Sequence, residues 1–244
     1  GVGVGTEEGV CRMGEGSAVC REAYRRAQGL PADWVWALAA PRAGEVWVGT
    51  EEGLCRMGEG SAVCRETYRR AQGLPSDYIY GLYLDRAGDL WIGTTNGLAR
   101  LRGATAPGPR PVEAYSTSDG LAANRSYAML EDGEGRLWIA HGEGLSWWTG
   151  ARFRAVDPSP GLPIPAVRSL GVDRHGRLWV GGFGHVTRLV EMGKGGPRFE
   201  RFPVAAEGEA ALVLAISEDA HGHLLLGTNR SEEHTSELQS LRHL

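Results

Sequence analysis

Residues 73–101 read GLPSDYIYGLYLDRAGDLWIGTTNGLARL, three short β-rich segments separated by turns, and a fourth follows a longer connection. The four predicted strands are Ile79–Leu84, Leu90–Gly93, Leu98–Leu101 and Val112–Tyr115. Asp85 and Gly88 suit the first and last positions of a type I turn between the first two. A sustained 3.6-residue period, which would indicate helices, is missing. Four short antiparallel strands per repeat predict a β-propeller blade.

The central pattern of this stretch (Gly, any residue, apolar, Trp, apolar, Gly, Thr) recurs along the chain at intervals of 41–47 residues. Its anchor positions are 3, 47, 91, 138, 179 and 225, with Gly3 and Leu225 in place of Trp. One large ring per repeat indicates packing between blades. We therefore predict an all-β fold, an incomplete β-propeller of about five four-stranded blades that forms an open arc over residues 1–229.

Composition and net charge exclude some classes of function. The 244 residues include 26 Lys and Arg against 30 Asp and Glu, a net charge of −4, which argues against nucleic acid as a partner. Glycine is abundant, at 37 residues, as many tight turns would require. An apolar run of the roughly 18 residues that a membrane span needs is missing.

The pattern from Gly73 to Leu101 resembles the two-component regulator propeller repeat, and the resemblance extends over residues 1–229. It implies a periplasmic or extracellular sensor propeller of a hybrid histidine kinase or diguanylate cyclase receptor. Such propellers commonly have about seven blades and precede an immunoglobulin-like domain, a membrane span and a transmitter, so we interpret the chain as a fragment without these C-terminal domains. The implied partners are a small-molecule or oligosaccharide ligand and a second copy in a homodimer. We expect no cofactor, no metal and no nucleic acid.

The C-terminal residues 230–244 break the repeat pattern. Residues 230–240, RSEEHTSELQS, resemble the translation of a sequencing-library adapter. We therefore expect residues 230–244 to be a non-native tail, and we expect it to pack poorly or to cross where the next blade strand belongs.

A near-identical duplication points to candidate ligand residues. Residues 4–33 match 48–77 at 27 of 30 positions, but the next four residues, 34–37 and 78–81, all differ. These lie on the strand predicted to be innermost, where a ligand would be selected. The candidate ring is Trp34, Trp36, Tyr78, Tyr80, Arg125, Tyr127 and Arg168. Aromatic rings with interspersed arginines suit a sugar ring bearing a carboxylate or sulfate; alternatively, these side chains simply fill the mouth of the channel.

The four cysteines form two copies of one pair, Cys11/Cys20 and Cys55/Cys64. If the hairpin between them is paired symmetrically, Cys55 faces Cys64 and Arg56 faces Val63. Directly opposed cysteines can form a cross-strand disulfide, which would fit an oxidising compartment. Free buried thiols are the alternative.

Three functions are compatible with these features. A ligand-sensing propeller of a signalling receptor is favoured by the repeat, and the alternatives are a protein-interaction scaffold and an enzyme similar to streptogramin lyases. Those enzymes tend to carry Trp-Phe-Thr-Glu and a catalytic histidine near the central axis, whereas this chain has Trp-Ile-Gly-Thr. Because no catalytic constellation can be assembled, we predict that the chain is not an enzyme.

Overall fold

The computed structural model describes residues 2–13, 20–58, 63–157, 162, 166–204, 211–229 and 239–241. These residues form six antiparallel sheets of three or four strands, together with three short 3₁₀ turns at Arg26–Gln28, Arg70–Gln72 and Thr117–Asp119. Consecutive strands pair with each other, as in propeller blades. The predicted all-β class of propeller blades is confirmed, while the open arc stays a prediction.

The chain divides into two compact units, the first comprising Gly1–Ser116 and Asn124–Ser126 and the second Thr117–Ala123 and Tyr127–Leu244. The first unit holds one three-stranded and two four-stranded sheets. Its strands are β1 (Val2–Thr6), β2 (Gly9–Met13) and β3 (Cys20–Tyr24); β4 (Val35–Arg42), β5 (Glu45–Thr50), β6 (Gly53–Met57) and β7 (Cys64–Tyr68); β8 (Ile79–Leu84), β9 (Leu90–Thr94), β10 (Gly97–Leu101) and β11 (Val112–Tyr115).

The second unit holds two four-stranded sheets and one three-stranded sheet. Its strands are β12 (Ser126–Glu131), β13 (Leu137–His141), β14 (Gly144–Trp148) and β15 (Phe153–Ala155); β16 (Ser169–Val172), β17 (Leu178–Gly181), β18 (His185–Gly193) and β19 (Gly196–Pro203); β20 (Val213–Glu218), β21 (Leu224–Thr228) and β22 (Gln239–Leu241). The first residue of β12 belongs to the first unit.

Each residue of the Trp-apolar-Gly-Thr pattern has its own structural role. The tryptophans Trp47, Trp91, Trp138 and Trp179 are at most 1% exposed. A Cβ on Gly49 would stand 2.7 Å from Cγ2 of Ile79 on β8, so only glycine lets the next sheet approach this closely. Thr50 donates its hydroxyl hydrogen to the Gly53 carbonyl (2.8 Å) and accepts the Glu52 amide (3.2 Å), which closes the turn between β5 and β6.

The turn aspartates also hold the tryptophans. The indole Nε1 atoms of three tryptophans donate to the aspartate six residues earlier. The pairs are Trp91–Asp85 at 2.8 Å, Trp138–Asp132 at 2.8 Å and Trp179–Asp173 at 2.9 Å. The pKa of Asp173 is lowered: burial opposes this, but the hydrogen bonds from Trp179 and Arg177 and the charge of Arg177 outweigh burial. The carboxylate thus joins the turn to the core of its blade.

The second sheet lacks this aspartate, since Pro41 replaces it. Trp47 Nε1 donates instead to the carbonyl of Ala104 at 3.4 Å. Ala104 lies in residues 102–111, the connection between β10 and β11, which we call the strap. The strap therefore crosses from the third sheet to the second and replaces the missing acceptor.

The cysteines form two disulfides, but the predicted hairpin register is wrong. The disulfides are Cys11–Cys20 and Cys55–Cys64, with Cα atoms 5.6 and 5.5 Å apart. Cys64 is paired in the ladder with Met57, and Arg56 with Glu66, because a β-bulge lies between Arg56 and Met57. The extra residue shifts the register, so each disulfide joins residues that are not directly opposed.

The C-terminal tail contributes one described strand. Residues 239–241 form β22, which pairs with β21 as the third strand of the last sheet. Residues 230–238 and 242–244 lie outside the described residues. The division into a propeller over 1–229 and a non-native tail over 230–244 stays a prediction.

Candidate ligand-binding site

The candidate residues lie on the first strand of a four-stranded sheet or immediately before it. In the first unit these strands are β4 and β8, which lie side by side, since Gly49 of the strand after β4 contacts Ile79 of β8. Trp34 and Tyr78 directly precede β4 and β8, and Trp36 and Tyr80 lie on these strands.

A repeated β-bulge places one candidate residue in each of these strands. The ladder between β4 and β5 skips Trp36, and the ladder between β8 and β9 skips Tyr80. The equivalent residue of the last sheet, Leu214, is skipped in the same way and is 52% exposed. A bulge leaves its extra residue outside the regular pairing and turns its side chain away from the sheet. The sequence-predicted positions thus coincide with a structural irregularity that the sequence did not indicate.

Four aromatic side chains of the first unit form one continuous group, which we call the aromatic cluster: Trp34, Trp36, Tyr78 and Tyr80. The indoles of Trp34 and Trp36 are stacked, with centroids 5.6 Å apart and planes 11° apart. The Trp36 ring lies 5.8 Å from both Tyr78 and Tyr80, and the two tyrosines are 5.0 Å apart. Trp34 and Trp36 remain 39% and 41% exposed, so the cluster offers solvent-accessible ring surface.

The cluster has a defined support in the third sheet. The Ser76 hydroxyl accepts the Tyr78 amide at 3.2 Å and the Thr95 hydroxyl at 2.7 Å, while the Tyr78 carbonyl accepts the Thr95 amide at 3.2 Å. The other copy has Ala32 in place of Ser76 and lacks that hydroxyl. One of the three differences between the duplicated segments therefore lies directly beneath a candidate residue.

One carboxylate, that of Glu51, acts electrostatically on Tyr78 of the aromatic cluster. Burial raises the pKa of the Tyr78 hydroxyl, and the neighbouring Tyr80 and the carboxylate of Glu51 raise it further. Tyr78 is therefore a neutral hydroxyl at physiological pH. Sequence reasoning missed Glu51, although its place in the turn after the Trp-Val-Gly-Thr of the second sheet could have indicated it.

The second unit brings two further candidates together. The Arg168 guanidinium lies 3.8 Å from the centroid of the Tyr127 ring, a cation–π arrangement. Arg168 Nε is buried and has no hydrogen-bond partner within the described residues. Arg125 is exposed and belongs to the first unit. The structure thus groups the four aromatic residues in one unit and the Tyr127–Arg168 pair in the other.

Two stretches of the sequence match a known family of repeats. Residues 73–96 and 120–143 match the family model described as "Two component regulator propeller". These two stretches are therefore repeats of the two-component regulator propeller type. They include the Asp85–Trp91 and Asp132–Trp138 hydrogen bonds described above. A search of curated protein sequences found no match.

Solved structures share the fold of these repeats. The extracellular domain of one hybrid two component system of B. thetaiotaomicron is similar with a TM-score of 0.71 and 17% identity, over 99% of this chain and 31% of that one. A second such domain from the same organism has a TM-score of 0.65 and 18% identity, over 80% and 26%. Virginiamycin B lyase from Staphylococcus aureus has a TM-score of 0.55 and 12% identity, over 85% and 69%. The chain thus spans about a quarter to a third of the length of the two receptor domains.

The described residues contain no group of three or more His, Cys, Asp or Glu that could hold a metal ion. The strands β4, β8, β12, β16 and β20, which begin five of the described sheets, contain no histidine. In the same residues we find no helix with the length and apolar character that crossing a membrane would require.

Proposed function

We propose that this chain is the ligand-binding sensor part of a bacterial signalling receptor, and that the aromatic cluster is its ligand site. The observation that carries the proposal is that four aromatic rings from two neighbouring inner strands adjoin one another and leave two tryptophans about 40% exposed. Exposed indole faces next to tyrosine hydroxyls suit the apolar face and hydroxyl groups of a sugar ring. The ligand is a small molecule or an oligosaccharide.

The proposal assigns recognition, not catalysis, to the chain. The inner strands of the described sheets offer tyrosine hydroxyls and arginines but no histidine, so a nucleophile–base pair of the usual kind is missing there. Virginiamycin B lyase shares the fold alone. The signalling output belongs to an immunoglobulin-like domain, a membrane span and a transmitter C-terminal to these repeats.

The location we propose is the periplasm or the cell exterior. Two disulfides in a short span of chain are typical of oxidising compartments. The receptor domains with a similar fold are described as extracellular.

Titration with a panel of neutral, carboxylated and sulfated oligosaccharides, followed by calorimetry and tryptophan fluorescence, tests the ligand site. We expect one class to bind, and Trp36→Ala to weaken its binding about tenfold by removing a stacking surface. Trp148→Ala removes a partly exposed tryptophan outside the cluster and is expected to leave binding unchanged. Equal effects of the two substitutions, at unchanged thermal stability, would contradict this site.

Sequencing of the source locus with long reads tests the receptor context. We expect the reading frame to continue from residue 229 into further Trp-Ile-Gly-Thr repeats, a membrane span and a transmitter. A gene that ends with residues 230–244 would instead favour a protein-interaction scaffold.

A further inference from the structure

A carboxylate lies at the edge of the aromatic cluster. The ladder between β4 and β5 pairs Val35 with Thr50. In the same antiparallel register the next residues are Trp34 and Glu51, which therefore adjoin each other where the ladder ends. Glu51 directly follows β5 and is partly buried. The turn after β5 thus brings a glutamate next to the first tryptophan of the cluster.

The equivalent turn of the third sheet has the same backbone arrangement. Its ladder pairs Ile79 with Thr94, and one residue further the Thr95 amide donates to the Tyr78 carbonyl at 3.2 Å. Thr95 stands at the position that Glu51 has in the second sheet. The repeat therefore has a fixed position beside its first aromatic residue, with a neutral hydroxyl in one sheet and a carboxylate in the other.

The Glu51 carboxylate also acts on the neighbouring sheet. The pKa of the Tyr78 hydroxyl is raised mainly by burial, and Tyr80 and the negative charge of Glu51 add to this rise. Such an effect requires the carboxylate to lie close to the hydroxyl, because salt and water screen charges over longer distances. Glu51 therefore adjoins one member of the cluster in its own sheet and acts on another in the next sheet.

Glu51 lacks the cationic partner that the adjacent glutamate has. The Glu52 carboxylate forms an ion pair with Arg26, with 3.1 Å between Oε1 and Nη1. Among the described residues, no side chain or amide forms a hydrogen bond or an ion pair with the Glu51 carboxylate. A partly buried carboxylate next to aromatic rings is poorly solvated, so a cation from a ligand would be stabilised there.

We propose that the aromatic cluster binds a sugar that carries a protonated amino group, and that Glu51 selects for this charge. The inference rests on the proposed function and names the ligand class of the same site. The faces of indole and phenol rings attract cations, and Trp34 and Trp36 are 39% and 41% exposed. The Glu51 carboxylate accepts hydrogen bonds from an ammonium group and repels the carboxylates and sulfates that the sequence suggested.

Titration calorimetry of the full chain with two oligosaccharides of equal length tests the inference. The first is a tetrasaccharide of β-linked glucosamine, and the second is its N-acetylated form, in which each amine is a neutral amide. We expect the aminated tetrasaccharide to bind about tenfold more tightly, because it offers both a cation and ammonium hydrogens to the site. Its affinity should fall as the salt concentration rises.

Two variants of Glu51 and one matched control identify the residue responsible. Glu51→Gln removes the charge and should weaken binding of the aminated tetrasaccharide about fivefold, while the weaker binding of the N-acetylated form stays unchanged. Glu51→Thr should have the same effect, and the third sheet shows that this turn accepts threonine. Glu52→Gln removes the charge of the adjacent glutamate and should change either affinity by less than about twofold.

Two results would overturn the inference and leave the proposed function intact. The first is equal or tighter binding of the N-acetylated form, or of a carboxylated or sulfated oligosaccharide, that Trp36→Ala still weakens. The second is an equal effect of Glu51→Gln and Glu52→Gln, which would assign the preference to the net charge of the chain. An absence of binding to every oligosaccharide, the aminated one included, would instead contradict the proposed function itself and the inference with it.

Discussion

The hydrogen bond from Trp138 to Asp132 gives a direct test of how a turn residue stabilises its blade. Trp138 is fully buried and Asp132 is 1% exposed, and the indole Nε1 lies 2.8 Å from the carboxylate. Asp132→Ala leaves that indole donor buried without a partner, which costs about 1–3 kcal/mol. The carboxylate also accepts the amides of Glu134 and Arg136, each at 3.0 Å, and pairs with the Arg136 guanidinium at 2.8 Å; together these losses add about 1 kcal/mol because water reaches the turn. We expect the free energy of unfolding to fall by about 3 kcal/mol.

A double-mutant cycle separates the two contributions. Trp138→Phe keeps a large buried ring but removes the indole donor, so in that background Asp132→Ala should cost only the turn hydrogen bonds and the ion pair with Arg136, about 1 kcal/mol in all. The expected coupling energy is therefore about 2 kcal/mol, measured by urea unfolding followed by far-ultraviolet circular dichroism. Additive losses, with a coupling energy near zero, would refute the assignment of the aspartate as a holder of the tryptophan.

Three further perturbations have defined outcomes. Replacing Cys55 and Cys64 together by alanine should lower the free energy of unfolding by about 2–3 kcal/mol. Thiol titration of the unaltered protein, denatured without a reductant, should find no free thiol, whereas four free thiols would contradict both disulfides. Because the pKa of Asp173 lies below its ordinary value of 3.8, its contribution to stability is present above about pH 4 and is lost as the pH falls through the lowered pKa. In urea unfolding at several pH values, the free energy of unfolding of Asp173→Asn should therefore depend less on pH than that of the unaltered protein. Arg56→Met should cost about 3 kcal/mol in the same assay, because it leaves the poorly solvated Glu66 carboxylate without its cationic partner, and a loss unaffected by adding Glu66→Gln would argue against that cause.

The strands could be predicted because their signals are local. The alternating apolar residues and the Asp-x-x-Gly turn placed the four strands of the third sheet within one residue of their observed bounds. The tryptophans were correctly expected to be buried. These features depend on residues close in sequence, so they can be recognised in a single sequence.

The features that the sequence did not indicate depend on irregular backbone or on distant contacts. A bulge beside Arg56 changed the hairpin register, and bulges at Trp36 and Tyr80 set the direction of two candidate ligand residues. A bulge adds one residue without a distinctive side chain, so composition does not reveal it. The strap was also missed, although Pro41 in place of the usual aspartate signalled that Trp47 needed another acceptor.

The aromatic cluster lies where the duplicated segments stop being alike. The ladders of each described sheet are formed between strands that follow one another in the chain, so the pairing of these strands is completed within one repeat. A second copy of a repeat therefore supplies its own strand pairings, and residues at the start of its first strand can differ without changing them. Trp34 and Trp36 in one copy stand where Tyr78 and Tyr80 stand in the other, on the same set of ladders.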